Sequence, residues 1–509
     1  MNTIMDTTTT TLDQKDTRNF TEMISNFAAE LKDLFVERNK DVDQLTTRGL
    51  SEEQMARIMK HNPLSVAIPS EHGGRGLHVK ECLKVLETAS YESIPLTLIF
   101  GINIALFLEP LAKYGINAPK KAIYDKFLNH GAMGGLMISE PAHGSDALNM
   151  TTQHSQVNGK VSIKGKKHWQ GLSGDADYWL VASRQAKESG GLGRDISLFV
   201  TDNAVPSQHI PLVERYENNG LYPISYGLNS LDIEVPESHE LQPESTGIKM
   251  LMDTLHRSRM QFPGMAMGFL KRVLEDTTAY CNNRLIRGNS LLQFDQVKHQ
   301  LAQLQSAFTI CSAMCNRSTE ISGVDKNTSL LGLEANTIKA RVTDLMQSAA
   351  QTMTQLFGSS GYKITNLGSR GIMDSRPFQI FEGPNEMLYS QISEAVTKQM
   401  QKMKMTFAEY MAQYELTESV SSFFAPIIES VEASKSMPQR KHVLLGQAIS
   451  GMVVASYVQK LSEVSFNADL INNTLDSLKQ DVDNLLNSYK QSTIINPIDH
   501  FMQNANWAG

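Results

Sequence analysis

Met137-Ile138-Ser139-Glu140-Pro141-Ala142-His143-Gly144-Ser145-Asp146-Ala147 marks the point where the chain changes texture. Upstream the apolar residues recur at helical spacing. Within 20–38 they fall at Met23, Ile24, Phe27, Ala28, Leu31, Leu34 and Phe35, a 3.6-residue period that predicts a helix. Ser51-Glu52-Glu53 reads as a capped helix start with acids in its first turn. The glycines of 69–76 predict a loop, and helical spacing returns over 79–90 and 123–129. Downstream, from Gly134, the pattern becomes short alternating runs at 161–163, 178–181, 196–200 and 231–235, separated by Gly, Asn, Asp and Pro. These predict strands of a compact antiparallel unit that ends near Pro236. Helical spacing resumes at Ile248, over 249–258, 264–284, 294–316 and 332–358, and such lengths with short connections suggest an antiparallel bundle. A last stretch of helical patterns, including 444–461 and 470–486, follows Met405.

The expected organisation is therefore a flexible N-terminus (1–18), an N-terminal helical domain (19–133), a central β domain (134–243), a C-terminal helical bundle (244–404) and a helical extension (405–509). A chain of 509 residues exceeds one simple core, so several domains are required. With 41% apolar and 20% charged residues, disorder of the whole chain is excluded as a reading. A net charge of −7 lacks the basic footprint of a nucleic-acid binder. Cys82, Cys281, Cys311 and Cys315 match no disulfide framework or zinc spacing and read as small buried residues of a reducing compartment. No uninterrupted apolar run reaches the ~18 residues of a membrane span, and residues 1–18 are polar and Thr-rich with no apolar signal region. The expectation is a cytoplasmic protein without a transmembrane segment.

Four segments carry candidate chemistry. The opening segment offers Ser139, Gly144 and Ser145, whose hydroxyls and bare backbone could approach a flat polar ligand; read alone it is equally a turn. In Gly165-Lys166-Lys167-His168-Trp169-Gln170-Gly171-Leu172-Ser173-Gly174, a Trp at a strand end could press on an aromatic cofactor or fill a hairpin core. Arg284-Leu285-Ile286-Arg287-Gly288, followed by Phe294, could clamp a diphosphate or close a solvated helix end. The fourth pairs Phe357-Gly358-Ser359-Ser360-Gly361-Tyr362 with Phe381-Glu382-Gly383-Pro384-Asn385-Glu386. Between an aromatic residue and a glycine, Glu382 in apolar surroundings would be desolvated and raised in pKa, which suits a general base. Among thirteen histidines, His143, His168 and His256 fall near motifs but lack ligand spacing, so no metal is expected. No nucleophile elbow, Walker A or Rossmann fingerprint occurs.

In this order and at these spacings, the four segments resemble the acyl-CoA dehydrogenase family over about residues 20–400. The resemblance implies a mainly α fold with a central β domain: an N-terminal helical domain, an antiparallel β-barrel-like middle domain and a C-terminal four-helix bundle, here with an extra helical tail. It implies FAD bound without a Rossmann fold, a homodimer or homotetramer, an acyl-CoA or acyl-carrier-protein substrate, and an electron-transfer flavoprotein or other acceptor. Ser139-Glu140-Pro141 stands where the family's Thr-Glu-Pro motif touches the flavin. Ser145 matches a serine contacting cofactor or substrate, and Trp169 the tryptophan beside the isoalloxazine. Arg284 matches an arginine reaching a neighbouring subunit's FAD diphosphate, and Gly358 and Gly361 the turn near the adenine part. Gly171, Phe294 and Asn385 take further cofactor positions, and Arg259 and Gly383 substrate positions. Glu382 matches the catalytic base, which removes the α-proton of the thioester while the β-hydride passes to flavin N5, leaving a trans-2-enoyl thioester.

Three positions depart from the family pattern. Gly171 replaces a Thr or Ser that hydrogen-bonds the flavin, Arg287 replaces a Phe, and Pro384 replaces a Thr. They keep open an oxidase, monooxygenase or desulfinase relative on the same fold, and beyond it a non-catalytic binding protein.

Overall fold

A computed structural model describes residues 8–499, 503 and 505. Of the flexible stretch expected over 1–18, residues 1–7 lie outside the described residues, and α1 (Thr8–Arg38) begins at Thr8. The first layer continues with α2 (Val42–Thr46), α3 (Glu52–Met59) and α4 (Val79–Glu92). Ser51 closes a capping box with Gln54 at the start of α3. Then α5 (Ile94–Gly101) runs through a π-helical segment, Ile102–Leu108, into α6 (Glu109–Tyr114), and α7 (Lys120–His130) follows.

The span Ile94–Tyr114 stands out by its average hydropathy, although it holds no unbroken apolar run. Over its 21 residues it is apolar enough, by length and composition, to cross a membrane, yet 94% of its apolar window is buried inside the protein. Thr97, Asn103 and Glu109 break the unbroken run that sequence inspection looks for, but their neighbours keep the average hydropathy high. All three are buried. Asn103 bonds Ile99 O and accepts from Gly134 N, and Glu109 accepts from Gln261. The Asn103 amide is thereby bonded through both its nitrogen and its oxygen, whereas Glu109 Oε2 stays buried without a partner.

The sheet comprises β1 (Gly134–Met137), β2 (Gln153–Val157), β3 (Lys160–His168), β4 (Tyr178–Gln185), β5 (Ser197–Asp202), β6 (Leu212–Arg215) and β7 (Gly227–Pro236). Its order is β1-β4-β2-β3-β7-β6, with β5 beside β4. Pairing is antiparallel for β2–β3, β3–β7, β6–β7 and β4–β5. Two parallel pairings, β1–β4 and β2–β4, were not suggested by the alternation pattern, which is the same for either direction.

The bundle differs from its expected helices in one respect. The segments expected over 249–258 and 264–284 are one helix, α8 (Gly247–Asn283), with Pro263 inside it. Proline normally ends a helix by removing a donor and crowding the preceding turn. Here every residue from His256 to Leu270 is buried, so packing on α4 and on α9 (Asp295–Ile321) and α10 (Gly332–Phe357) overrides the local preference. A short hairpin of β8 (Leu285–Ile286) and β9 (Asn289–Ser290) joins α8 to α9. After α10 come α11 (Leu367–Ser375) and α12 (Asn385–Met403).

The extension forms α13 (Phe407–Gln413), α14 (Glu418–Ile428), α15 (Gln439–Lys460) and α16 (Ala468–Gln491). It is a packed layer: α15 lies on α12 and α9, and α16 on α15 and α9. Gly446 permits the approach, since a Cβ there would sit 1.9 Å from Tyr389 O. Tyr457 Oη donates to Glu334 at 2.6 Å, and Glu334 also accepts from Arg317. The four cysteines are free thiols.

Candidate active site

Glu382 lies in the turn between η-type residues Arg376–Gln379 and α12, at φ 54, followed by Gly383 at φ 100. A non-glycine residue in this region is strained, and such strain persists only where the surroundings enforce it. Three bonds do so. Arg259 Nε donates to Glu382 O at 3.0 Å, Lys339 Nζ donates to Gly383 O at 2.8 Å, and Lys339 Nζ also donates to Asn385 Oδ1 at 3.0 Å. Asn385 Nδ2 in turn donates to Ala340 O, Thr343 Oγ1 and Asp344 Oδ1. Its amide is thus committed to the protein on both sides.

The Glu382 carboxylate is asymmetric. Oε1 accepts from Ser258 Oγ at 2.8 Å. Oε2 is shielded from solvent and has no partner. Burial raises the carboxyl's pKa above its ordinary value, against Arg259, Ser258 and Lys339, which favour the charged form. Burial pushes the Lys339 ammonium down to about 7. Arg259 is buried and bonded through Nη1 to Asn336 Oδ1 at 2.6 Å. The apolar wall is Phe262, Phe378 and Phe381, with ring centroids 5.0–6.0 Å apart.

On the sheet side, Trp169 has φ 59 and keeps 53% of its surface exposed. Its ring lies 4.7 Å from that of Tyr216 and 5.9 Å from that of Tyr226. The departure at Gly171 has a steric cause: a Cβ there would lie 2.6 Å from Ile102 Cδ1. The side chain that the position lacks is replaced by one from the π-helical segment. Gln170 Nε2 donates to Ser139 O at 3.2 Å, while its Oε1 is buried without a partner.

Glu140 does not face a ligand. It is buried and accepts from Thr151 N and Oγ1, both at 2.6 Å, from Thr152 N at 2.8 Å and from Lys167 Nζ at 3.0 Å. Burial pushes its carboxyl up, but Lys167 and the threonines outweigh this and hold it at about 2. Lys167, fully buried against one carboxylate, is pushed down to about 8. The pair clamps the segment opened by Ser139 onto β3. Ser145 is exposed beyond it.

Gly358 takes φ 58 and ψ −132, closed to residues with a Cβ, at the end of α10. Gly361 is buried one turn on. Arg284 ends α8, exposed beside exposed Leu285, Ile286 and Phe294. The structure gathers Arg259, Glu382, Gly383 and Asn385 into one constellation, and Ser139, Trp169 and Gly171 into a second. Ile102 bridges towards α8, because Gly101 beside it approaches Met265 on that helix. Arg284, Phe294, Gly358 and Gly361 lie at the far ends of the bundle helices. Ser258, Lys339, Asn336 and Ile102 were missed from sequence, and Lys167 stood inside the Gly165–Gly174 motif without a role given to it. Ser258 was adjacent to Arg259; Lys339, Asn336 and Ile102 sit in helix interiors without a local signal. Among the described residues no group of three or more His, Cys, Asp or Glu could hold a metal.

The chain thus combines a strained, half-bonded carboxylate beside aromatic rings with a strand end that presents an open indole. FAD fits these residues: an exposed flat Trp, bare backbone at Gly171 and the unpartnered Gln170 oxygen suit a polar heteroaromatic ring. Three family models match in succession: acyl-CoA dehydrogenase N-terminal domain over 14–130, middle domain over 135–221 and C-terminal domain over 245–397. The chain belongs to the acyl-CoA dehydrogenase family and is an FAD-dependent oxidoreductase. An acyl-CoA dehydrogenase of Bacillus subtilis is 25% identical over 336 residues, covering 65% of this chain and 86% of that protein. An acyl-CoA dehydrogenase complexed with FAD from Bacillus anthracis superposes with TM-score 0.72 at 15% identity, covering 92% of this chain and 87% of that one. That coverage reaches past residue 404 into the extension. A prolyl acyl carrier protein oxidase superposes with TM-score 0.66 at 16% identity, covering 74% and 98%.

Proposed function

We propose that the protein dehydrogenates an acyl thioester between its α and β carbons, with Glu382 as the base. The observation that carries this reading is the free Oε2 of Glu382, shielded from solvent on a strained loop while Oε1 is held by Ser258. A thioester carbonyl makes its α-hydrogen weakly acidic, and an unhydrated carboxylate oxygen with no competing donor is placed to accept that proton. Arg259, Lys339 and Asn385 fix the loop, so Oε2 keeps its direction during the transfer. The Phe262, Phe378 and Phe381 rings form an apolar cluster that reaches the residue next to Glu382 in the chain. Bound FAD supplies the acceptor for the β-hydride. Trp169, Gly171, Ser139 and Ser145 would hold its ring system, and Arg284, Phe294, Gly358 and Gly361 its diphosphate and adenosine, from this subunit or a second copy. Arg259 and Gly383 act on substrate through the loop they shape, and Asn385 acts as a positioning residue for it. The partners are an acyl-CoA or carrier-protein thioester and an electron-transfer flavoprotein or other acceptor.

Anaerobic mixing of the yellow protein with a panel of acyl-CoAs tests the reading. One chain class should bleach the flavin absorbance, and Glu382→Gln should slow the bleaching by about 10²–10⁴-fold. Unchanged bleaching in that variant removes Glu382 from the role. A second reading, an oxidase, draws on Ile102 filling the place of the family's hydroxyl side chain at Gly171. Turnover sustained by oxygen without an added acceptor selects it.

A further inference from the structure

Away from Glu382, a cavity of about 50 Å³ opens where α1, the start of α5, Tyr222-Pro223 and the segment 364–374 meet. Its lining includes Arg38, Asn39, Glu92, Arg370 and Asp374, with Ser93 and Tyr222 as further polar residues. Arg38 is 5% exposed, and its Nη2 donates a long bond to Thr47 O at 3.4 Å. Arg370 donates from Nη1 to Asn39 Oδ1 at 2.6 Å. Its Nε and Asn39 Nδ2 are both shielded from solvent, and neither has a partner. Neither arginine makes an ion pair within 4.0 Å among the described residues.

The nearby acids do not answer them. Glu92 is taken by Arg272, whose Nη1 donates to it at 2.6 Å. Asp374 accepts from Leu221 N at 2.6 Å, and burial pushes its carboxyl up to about 6. Burial and the neighbouring arginines press the Arg370 guanidinium down, the first against the attraction of Asp374 and Glu92. Arg272 is answered by Glu92 and by Asp276, 3.6 Å from its Nε, which leaves Arg38 and Arg370 as the guanidinium groups here without an ion pair among the described residues. Buried charge without a hydrogen-bonded partner is unstable, and unsatisfied buried donors are rare enough to require a cause.

We propose that this cavity is a carboxylate-binding site, with the anion seated between Arg38 and Arg370 and accepting from Arg370 Nε and Asn39 Nδ2. One monoanion supplies the acceptor that these unpartnered donors lack. A planar carboxylate matches the guanidinium fork. At about 10–15 Å³ per water-sized probe position the cavity holds three to five such positions, enough for a carboxyl group with a carbon or two. A dianionic phosphate would instead confront Glu92 and Asp374. The carboxylate has two sources: a free small acid, or the far end of an acyl chain. The second rests on the thioester reading above. It has a geometric basis, since Ser258 touches Glu382 and Arg272 touches Glu92 fourteen residues further along α8, a separation of about 20 Å.

The test uses the full-length, FAD-loaded protein. Calorimetric titration with acetate and propionate should show saturable binding that weakens at least tenfold in Arg370→Gln. Asn39→Asp preserves the bond to Arg370 and supplies an internal carboxylate, so it should fold at least as stably as the parent and lose the binding. In the Glu382→Gln background, spectral titration with ω-carboxyl and methyl-ended acyl-CoAs of equal length tests the second source. Preference for the carboxyl-ended ligand, abolished by Asn39→Asp, assigns the site to the acyl end. Binding of neither class, or equal binding by Asn39→Asp and the parent, overturns the proposal. Bleaching by ordinary acyl-CoAs is independent of that outcome, so the two readings fail separately.

Discussion

Lys167→Met tests the clamp behind the Ser139 segment. The lysine is fully buried and its partner Glu140 has 3% of its side chain exposed. Removing it leaves a buried carboxylate that still accepts three bonds from Thr151 and Thr152 but has lost its counter-charge. Breaking a buried pair from one side costs about 3–5 kcal/mol. At about 2.1 cal/mol/K per residue, cooperative unfolding of 509 residues carries about 1 kcal/mol/K, so the melting temperature should fall by about 3–5 °C. Lys164→Met on the same strand is the control. Its pair with Asp232, at 3.2 Å, is exposed on both sides, and such pairs contribute about 0–1 kcal/mol, or at most about 1 °C. Differential scanning calorimetry reads both variants, and the flavin absorbance retained after gel filtration reports whether the clamped segment still supports FAD. If Lys167→Met melts no lower than Lys164→Met, the clamp is not what holds this segment.

The raised Glu382 carboxyl sets the acid limb of the kcat/KM profile above pH 4.5, with activity rising as the base deprotonates; a limb at or below 4.5 contradicts the burial argument. Ser258→Ala removes the donor to Oε1. A hydrogen bond to a charged group contributes about 1.5–3 kcal/mol, so the limb should move up by about 1–2 pH units, and an unmoved limb rejects the contact. Gly171→Thr should destabilise by about 1–3 kcal/mol through overlap with Ile102, and Ile102→Ala should restore most of it in the double variant; additive losses in thermal melts would falsify the steric account. Lys339 keeps its proton to a lower pH folded than unfolded, so between about pH 7 and its ordinary pKa the unfolded chain holds the extra proton and this group makes stability rise with pH. Lys339→Met should flatten that rise, measured by denaturant melts at pH 7 and 9.

The helical–β–helical order was legible because periodicity changes at Gly134 and again near Ile248, and periodicity reflects which face is buried. The single helix across 249–284 was not legible, because the packing that carries α8 through Pro263 is not visible in the sequence. Glu382 was singled out by the company of the other motifs in register, since a loop Glu between Phe381 and Gly383 carries little signal alone. Its partners were not: Ser258 and Lys339 lie 124 and 43 residues away along the chain, and a lysine inside a helix is ordinarily solvated. Lys167 stands in an alternating strand where charge usually marks the outer face. The arginine cavity joins Asn39 to Arg370, 331 residues apart, and only the folded chain brings them together.

The buried helix at Ile94–Tyr114 also bears on how the protein is made. Gly101 is covered by Met265, which leaves the ribosome 164 residues later. At about 5–20 residues per second, this segment waits roughly 8–33 s before its covering helix exists. Throughout that interval this apolar segment exists without the helix that later covers it, so its burial is completed only once α8 has been made.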